Sequence, residues 1–171
     1  MATTFRKAMD ALYLLCIGIA GAALIIMTAV IPYGVYTRKI LNAAAAWPEP
    51  LSVLMMILFS FFGGAASYRA NSHISVRILT DALPPAVQRV FSWFVDFCMA
   101  AICLFMLYWG LLLVQTVWPQ TVAEFPFLST GITYLPIPVG GIITLLFIIE
   151  RVLIGPPPKD SIVYREPIAT E

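Results

Sequence analysis

Residues 97–123 read FCMAAICLFMLYWGLLLVQTVWPQTVA, with no charged side chain, and are closed by Asp96 on one side and Glu124 on the other. A helix over this stretch would be about 40 Å long, more than the roughly 30 Å hydrocarbon core of a bilayer. Apolar side chains occupy all sides of such a helix, so no polar face is left for water. In hydrocarbon each backbone N–H and C=O needs a partner within the segment, which makes the run helical.

The same punctuation by charge recurs along the chain. Uncharged runs occupy 11–37 between Asp10 and Arg38, 50–68 between Glu49 and Arg69, and 125–149 between Glu124 and Glu150. Hydrophobic residues make up 61% of the sequence and charged ones 11%. Soluble domains average about 45–50% and about 25%. The expectation is an all-α integral membrane protein of four transmembrane helices, spanning about 11–36, 50–68, 85–118 and 136–154. They form one membrane domain over 1–155, followed by a flexible tail over 156–171 rich in proline and mixed charge.

Prolines and tryptophans refine the ends. Pro32 is expected to bend the outer end of the first span. Pro48 and Pro50 suit the first turn of the second, and Pro85, Pro136 and Pro138 the starts of the third and fourth. Trp47, Trp93 and Trp118 fall at span ends, where the amphipathic indole favours the headgroup layer. Trp109 falls in mid-span and is expected to pack on another helix. The first run exceeds the roughly 7–15-residue apolar core of a cleaved leader, so it reads as a retained helix.

Lysine and arginine set the orientation. Arg6 and Lys7, then Arg69, Arg77 and Arg89, then Arg151, Lys159 and Arg165 share one side; only Arg38 and Lys39 lie on the other. The positive-inside rule places both termini in the cytoplasm. In the cytoplasmic loop, residues 74–83 gather Ile74, Ile78, Leu79, Ala82 and Leu83 on one helical arc, opposite Arg77, Thr80 and Asp81. This predicts a short amphipathic helix, either lying on the inner membrane surface or standing in solvent, ended by Pro84.

Sites for chemistry are missing from this pattern. His73 is the one histidine, too few for a bis-histidine haem or a histidine-based metal cluster. Cys16, Cys98 and Cys103 lie inside apolar runs without CxxC spacing and read as small hydrophobes. No strand–glycine-loop–helix pattern offers a phosphate cradle. No ionisable residue sits deep in a span; Asp96, near the inner interface, pairs with Arg89 or snorkels in this reading. A net charge of +1 provides no basic face for nucleic acid. The chain therefore reads as a non-enzyme without cofactor or metal site, equipped for packing. Gly18 with Ala22, Gly63 with Ser67, and Gly140 with Gly141 are small residues placed for close helix approach.

The rims of the spans resemble a known family. Arg38 closes the first span and Trp47-Pro48-Glu49 opens the second. Gly63-Gly64-Ala65-Ala66, Arg69, His73-Ile74, Val76, Leu79 and Leu83-Pro84 follow in order, and Leu135-Pro136-Ile137-Pro138-Val139-Gly140 enters the fourth. This succession is similar to the small membrane subunit, DctQ type, of tripartite ATP-independent periplasmic (TRAP) transporters. Pro50, Asn71-Ser72 and Arg77 depart from that pattern. The resemblance implies a scaffold subunit in a bacterial inner membrane without a substrate site of its own. Its implied partners are a large multi-span subunit holding the substrate and sodium sites, a periplasmic substrate-binding protein delivering an organic acid, and membrane phospholipids. It also implies partner or lipid contact at Arg38, Trp47, Glu49, Arg69, His73, Leu83 and Pro84. The alternative is a small structural or accessory protein of another multi-subunit membrane complex.

Overall fold

The computed structural model describes residues 2–43, 45–70 and 84–155. The amphipathic helix expected over 74–83, with His73 and Leu83, and the tail over 156–171 lie outside the described residues. Four long helices dominate: α1 (Ala2–Lys39), α2 (Pro48–Arg69), α3 (Pro85–Val117) and, after a hairpin and the short α4 (Thr130–Tyr134), α5 (Pro136–Ile154). Each long helix is apolar and long enough to cross a membrane, α4 and α5 counting together as one segment. Prolines open α2, α3 and α5, where a missing N–H costs no helical hydrogen bond. Helix α1 runs through Pro32 and continues to Lys39. At about 57 Å for its 38 residues it is much longer than hydrocarbon thickness.

The helices stand in a row, α1–α2–α5–α3, and not in a closed square. Helix α2 packs on α1 with one flank and on α5 with the other; α5 packs on α2 and α3. In the most apolar window of each segment, 17, 22 and 17% of residues are buried in α1, α2 and α3, against 44% in α4–α5. The buried positions on α1 follow helical spacing: Met9, Tyr13, Cys16, Ala20 and Ala23. Met9, Tyr13, Cys16 and Ala20 meet Phe62, Ala65 and Ala66 of α2 in one apolar core that continues to Cys103 of α3 and Phe147 of α5.

Two adjacent glycines explain how α5 fits between two neighbours. A Cβ at Gly140 would stand 2.9 Å from Phe61 Cβ on α2, and one at Gly141 would stand 3.2 Å from the Cys103 carbonyl oxygen on α3. Such closeness is the way small residues hold helices together in lipid, where burial alone gives little drive.

The run over 125–149 departs from the reading by charge alone. It begins with a strand. Thr121–Val122 (β1) and Phe125–Ser129 (β2) form an antiparallel pair, Thr121 opposite Ser129 and Val122 opposite Phe125. The Ser129 hydroxyl donates to the Trp118 carbonyl oxygen (2.7 Å) and accepts from the Gly131 N–H (3.1 Å), which caps α4 and ties the hairpin to the end of α3. Trp109, expected against another helix, is 55% exposed, beside Phe105 and Tyr108 on its own helix.

Candidate functional site

Among the described residues, the buried ionic contacts gather at the end where α1 begins, α2 ends, α3 begins and α5 ends. Arg69, the last residue of α2, is turned inward, with 2% of its side chain exposed. Its Nε donates to Glu150 Oε2 at 2.8 Å and its Nη2 to Glu150 Oε1 at 2.9 Å, a two-point contact with α5. The same Nη2 donates to Asp10 Oδ1 on α1 at 2.7 Å. The planar guanidinium suits this fork, and charge-assisted bonds of this length are among the stronger ones in proteins.

Aromatic faces complete the surroundings. Arg69 Cζ lies 5.5 Å from the Tyr13 ring centroid and 5.4 Å from that of Phe147. Both rings attract the cation through their π faces. Arg69 Nη1 has no hydrogen-bond partner among the described residues. The immediate surroundings hold one cation against two carboxylates, with Glu150 only 4% exposed at its side chain and Asp10 27%.

A second set of contacts lies on the other flank of α5. Tyr68, next to Arg69, donates its hydroxyl to Asp96 Oδ1 on α3 at 2.8 Å. Arg151, next to Glu150, places Nε 3.4 Å from Asp96 Oδ2 and donates from Nη2 to Ser92 Oγ at 3.1 Å. Arg151 Cζ also lies 5.8 Å from the Tyr68 ring centroid. Asp96 thus engages Arg151 and Tyr68, partners that the sequence did not suggest; the side chain of Arg89, which it did suggest, lies outside the described ones. Arg6 on α1 donates to the Ile154 carbonyl oxygen at 3.2 Å, at the last turn of α5. The neighbours Tyr68-Arg69 and Glu150-Arg151 therefore act as two paired crosspieces, and together they join all four long helices.

The other sequence-selected residues are placed as follows. Arg38 and Glu49 form an exposed pair, Nη2 to Oε2 3.6 Å, at the opposite end. Trp47 precedes α2, its ring centroid 5.5 Å from that of Tyr33. Pro84 caps α3 and is exposed. A Cβ at Gly63 would stand 3.7 Å from Ala20 Cβ, an ordinary contact, whereas one at Gly18 would meet nothing within 4 Å. Ala22 and Ser67 are exposed. The packing positions that charge and spacing did not single out are Cys16, Ala20 and Ala23 on α1, buried on the face towards α2.

The arrangement locks the four long helices together at one end. Among the described residues no group of three or more His, Cys, Asp or Glu side chains gathers to hold a metal ion. The network carboxylates are engaged by arginine and tyrosine.

Comparison with known proteins agrees with the motif order. Residues 27–154 match the family described as tripartite ATP-independent periplasmic transporters, DctQ component. A Haemophilus influenzae protein described as a candidate TRAP transporter small permease protein is 27% identical over 151 residues, covering 84% of this chain and 86% of the relative.

Proposed function

Because the chain belongs to the DctQ component family of tripartite ATP-independent periplasmic transporters, we propose that it is the fixed scaffold of a sodium-coupled importer of an organic acid. In this reading it sits in the bacterial inner membrane with both termini cytoplasmic. A large multi-span subunit carries the substrate and sodium sites, and a periplasmic binding protein delivers the acid. The small subunit stays still while the substrate-carrying part of its partner moves.

The observation that carries the scaffold reading is the buried Arg69 pairing with Glu150 and Asp10. Removing either side of such a pair leaves an uncompensated buried charge, so the helices it joins resist separation. A moving, substrate-carrying element would need two packings of similar energy. Here the ionic groups sit at the ends of the helices, while the middle of each span is uncharged. Intramembrane charges mark substrate and ion pathways in transport proteins, and these spans lack them at mid-depth.

The row of helices adds support. A row exposes two broad apolar faces, and large side chains such as Ile25, Phe97 and Phe105 are 72, 72 and 63% exposed. In a membrane these faces meet lipid or another membrane protein, the situation of a subunit that broadens a larger one. The placement of both termini inside rests on the excess of lysine and arginine on one side.

The test is co-expression with a large multi-span subunit of a TRAP transporter from the same source. The two are expected to purify as one complex through an affinity tag on either. Both tags of a doubly tagged small subunit are expected on the cytoplasmic face of the assembled complex. Separate elution of the two chains under mild detergent, or a periplasmic terminus, would overturn the reading.

A further inference from the structure

At the hairpin end of the molecule a cleft of about 370 Å³ lies between α1 and α2. Its walls are hydrocarbon: Met27 and Ile31 from α1, Val53 and Met56 from α2. Its rim is charged, with Arg38, Lys39 and Glu49. Gly34 brings the two helices together beside it: a Cβ there would stand 3.0 Å from Pro48 Cβ.

Three features fit one kind of occupant. The first is the charge of the rim. The Arg38–Glu49 pair is 3.6 Å long, with side chains 63 and 81% exposed, so water screens it. Lys39 adds a second exposed cation, leaving the rim net positive. The second is depth. From Arg38 down to Met27 α1 descends about 16 Å, close to half of a roughly 30 Å hydrocarbon core. The apolar wall therefore matches one leaflet. The third is the aromatic pair Tyr33–Trp47 beside the rim, ring centroids 5.5 Å apart. Such rings favour the headgroup level, which puts the cations there too.

We propose that this cleft binds one phospholipid of net negative charge. Its phosphate lies between Arg38 and Lys39, and an acyl chain runs down the Met27, Ile31 and Met56 wall. The volume lies within the range of small-molecule sites, and basic clefts between transmembrane helices are a known way of recognising acidic headgroups. Glu49 opposes a second negative charge at the rim and competes with the phosphate for Arg38. The inference rests on the chain crossing a bilayer and does not depend on what the transporter carries.

Native mass spectrometry of the full chain in detergent tests it, with phosphatidylglycerol, phosphatidylethanolamine and diacylglycerol added in turn. The expected result is one retained phosphatidylglycerol per chain, weaker retention of phosphatidylethanolamine and none of diacylglycerol. The double variant Arg38→Gln/Lys39→Gln should weaken phosphatidylglycerol retention about tenfold or more. Glu49→Gln should strengthen it. Val53→Trp, which fills the cleft from an exposed wall position, should abolish it while the helical circular dichroism spectrum stays unchanged. Equal retention by wild type and the rim variants, or diacylglycerol bound as tightly as phosphatidylglycerol, would overturn the proposal. So would disulfide or photochemical cross-linking from position 53 to another polypeptide in the assembled transporter in place of lipid.

Discussion

Arg69 at the end of α2 and Glu150 near the end of α5 are joined by two parallel hydrogen bonds of 2.8 and 2.9 Å, both side chains almost wholly buried. The residues are 81 positions apart in sequence. Their pairing closes the central contact of the helix row, and Asp10 extends it to α1.

Arg69→Ala should destabilise the purified protein by about 3–5 kcal/mol, because Glu150 would keep a buried charge without its partner. Glu150→Ala should also destabilise, but less, because Arg69 keeps Asp10 as a charged partner. Replacing both residues with methionine should restore a large part of the loss, since a buried ion pair is often exchangeable for well-packed apolar groups. Denaturation monitored by circular dichroism in detergent checks all three. Asp10→Asn, at a partly exposed site, should cost less than either buried partner.

Tyr68→Phe removes one hydrogen bond to the Asp96 carboxylate and leaves the ring in place. A loss of about 1.5–3 kcal/mol is expected for a bond to a charged acceptor. Because Arg151 also approaches Asp96, Tyr68→Phe and Arg151→Gln should be non-additive. A double-mutant cycle on the same unfolding measurement gives the coupling directly.

Glycines of the same appearance should respond differently. Gly140→Ala drives a Cβ towards Phe61 Cβ at 2.9 Å and should cost about 1–3 kcal/mol through overpacking. Gly18→Ala meets nothing within 4 Å and gains helix propensity, so the isolated subunit should be unchanged or slightly more stable. A loss of complex formation in Gly18→Ala, without loss of subunit stability, would mark that face of α1 as the side that meets a partner.

Ser129 holds the hairpin to α3 and caps α4 with one hydroxyl. Ser129→Ala should lower stability by about 1 kcal/mol, as for other lost caps. Hydrogen exchange should rise first at the amides of Thr130 and Gly131, whose bonds define that junction.

Much of the architecture was legible because the bilayer imposes a simple rule: long uncharged runs must be helices. Runs ended by Asp10, Arg38, Glu49, Arg69, Asp96 and Glu150 located the long helices. The same rule did not reach the hairpin. Residues 125–129 lie outside the fourth span as read, at about 136–154, and Pro126 within five residues concealed the strand. The ionic network was hidden for a different reason. A charge at a span end can snorkel towards water or turn into the helix packing, and sequence spacing does not distinguish the two. Arg69 lies 59 positions from Asp10 and 81 from Glu150, beyond the reach of any local pattern. The glycine pattern was legible only in part. Small residues marked the tight face of α5 at Gly140 and Gly141, but on α1 the buried positions are Cys16, Ala20 and Ala23, one step round from Gly18 and Ala22.

The scaffold claim is tested most directly by uptake into proteoliposomes containing the large subunit with and without this chain, supplied with the binding protein, its organic acid and an inward sodium gradient. The account predicts uptake only when both membrane chains are present. It also predicts that the variant Arg69→Met/Glu150→Met, provided it assembles, lowers the rate without altering the KM for the loaded binding protein. Uptake at full rate by the large subunit alone would contradict it, as would a change of substrate preference on altering this chain.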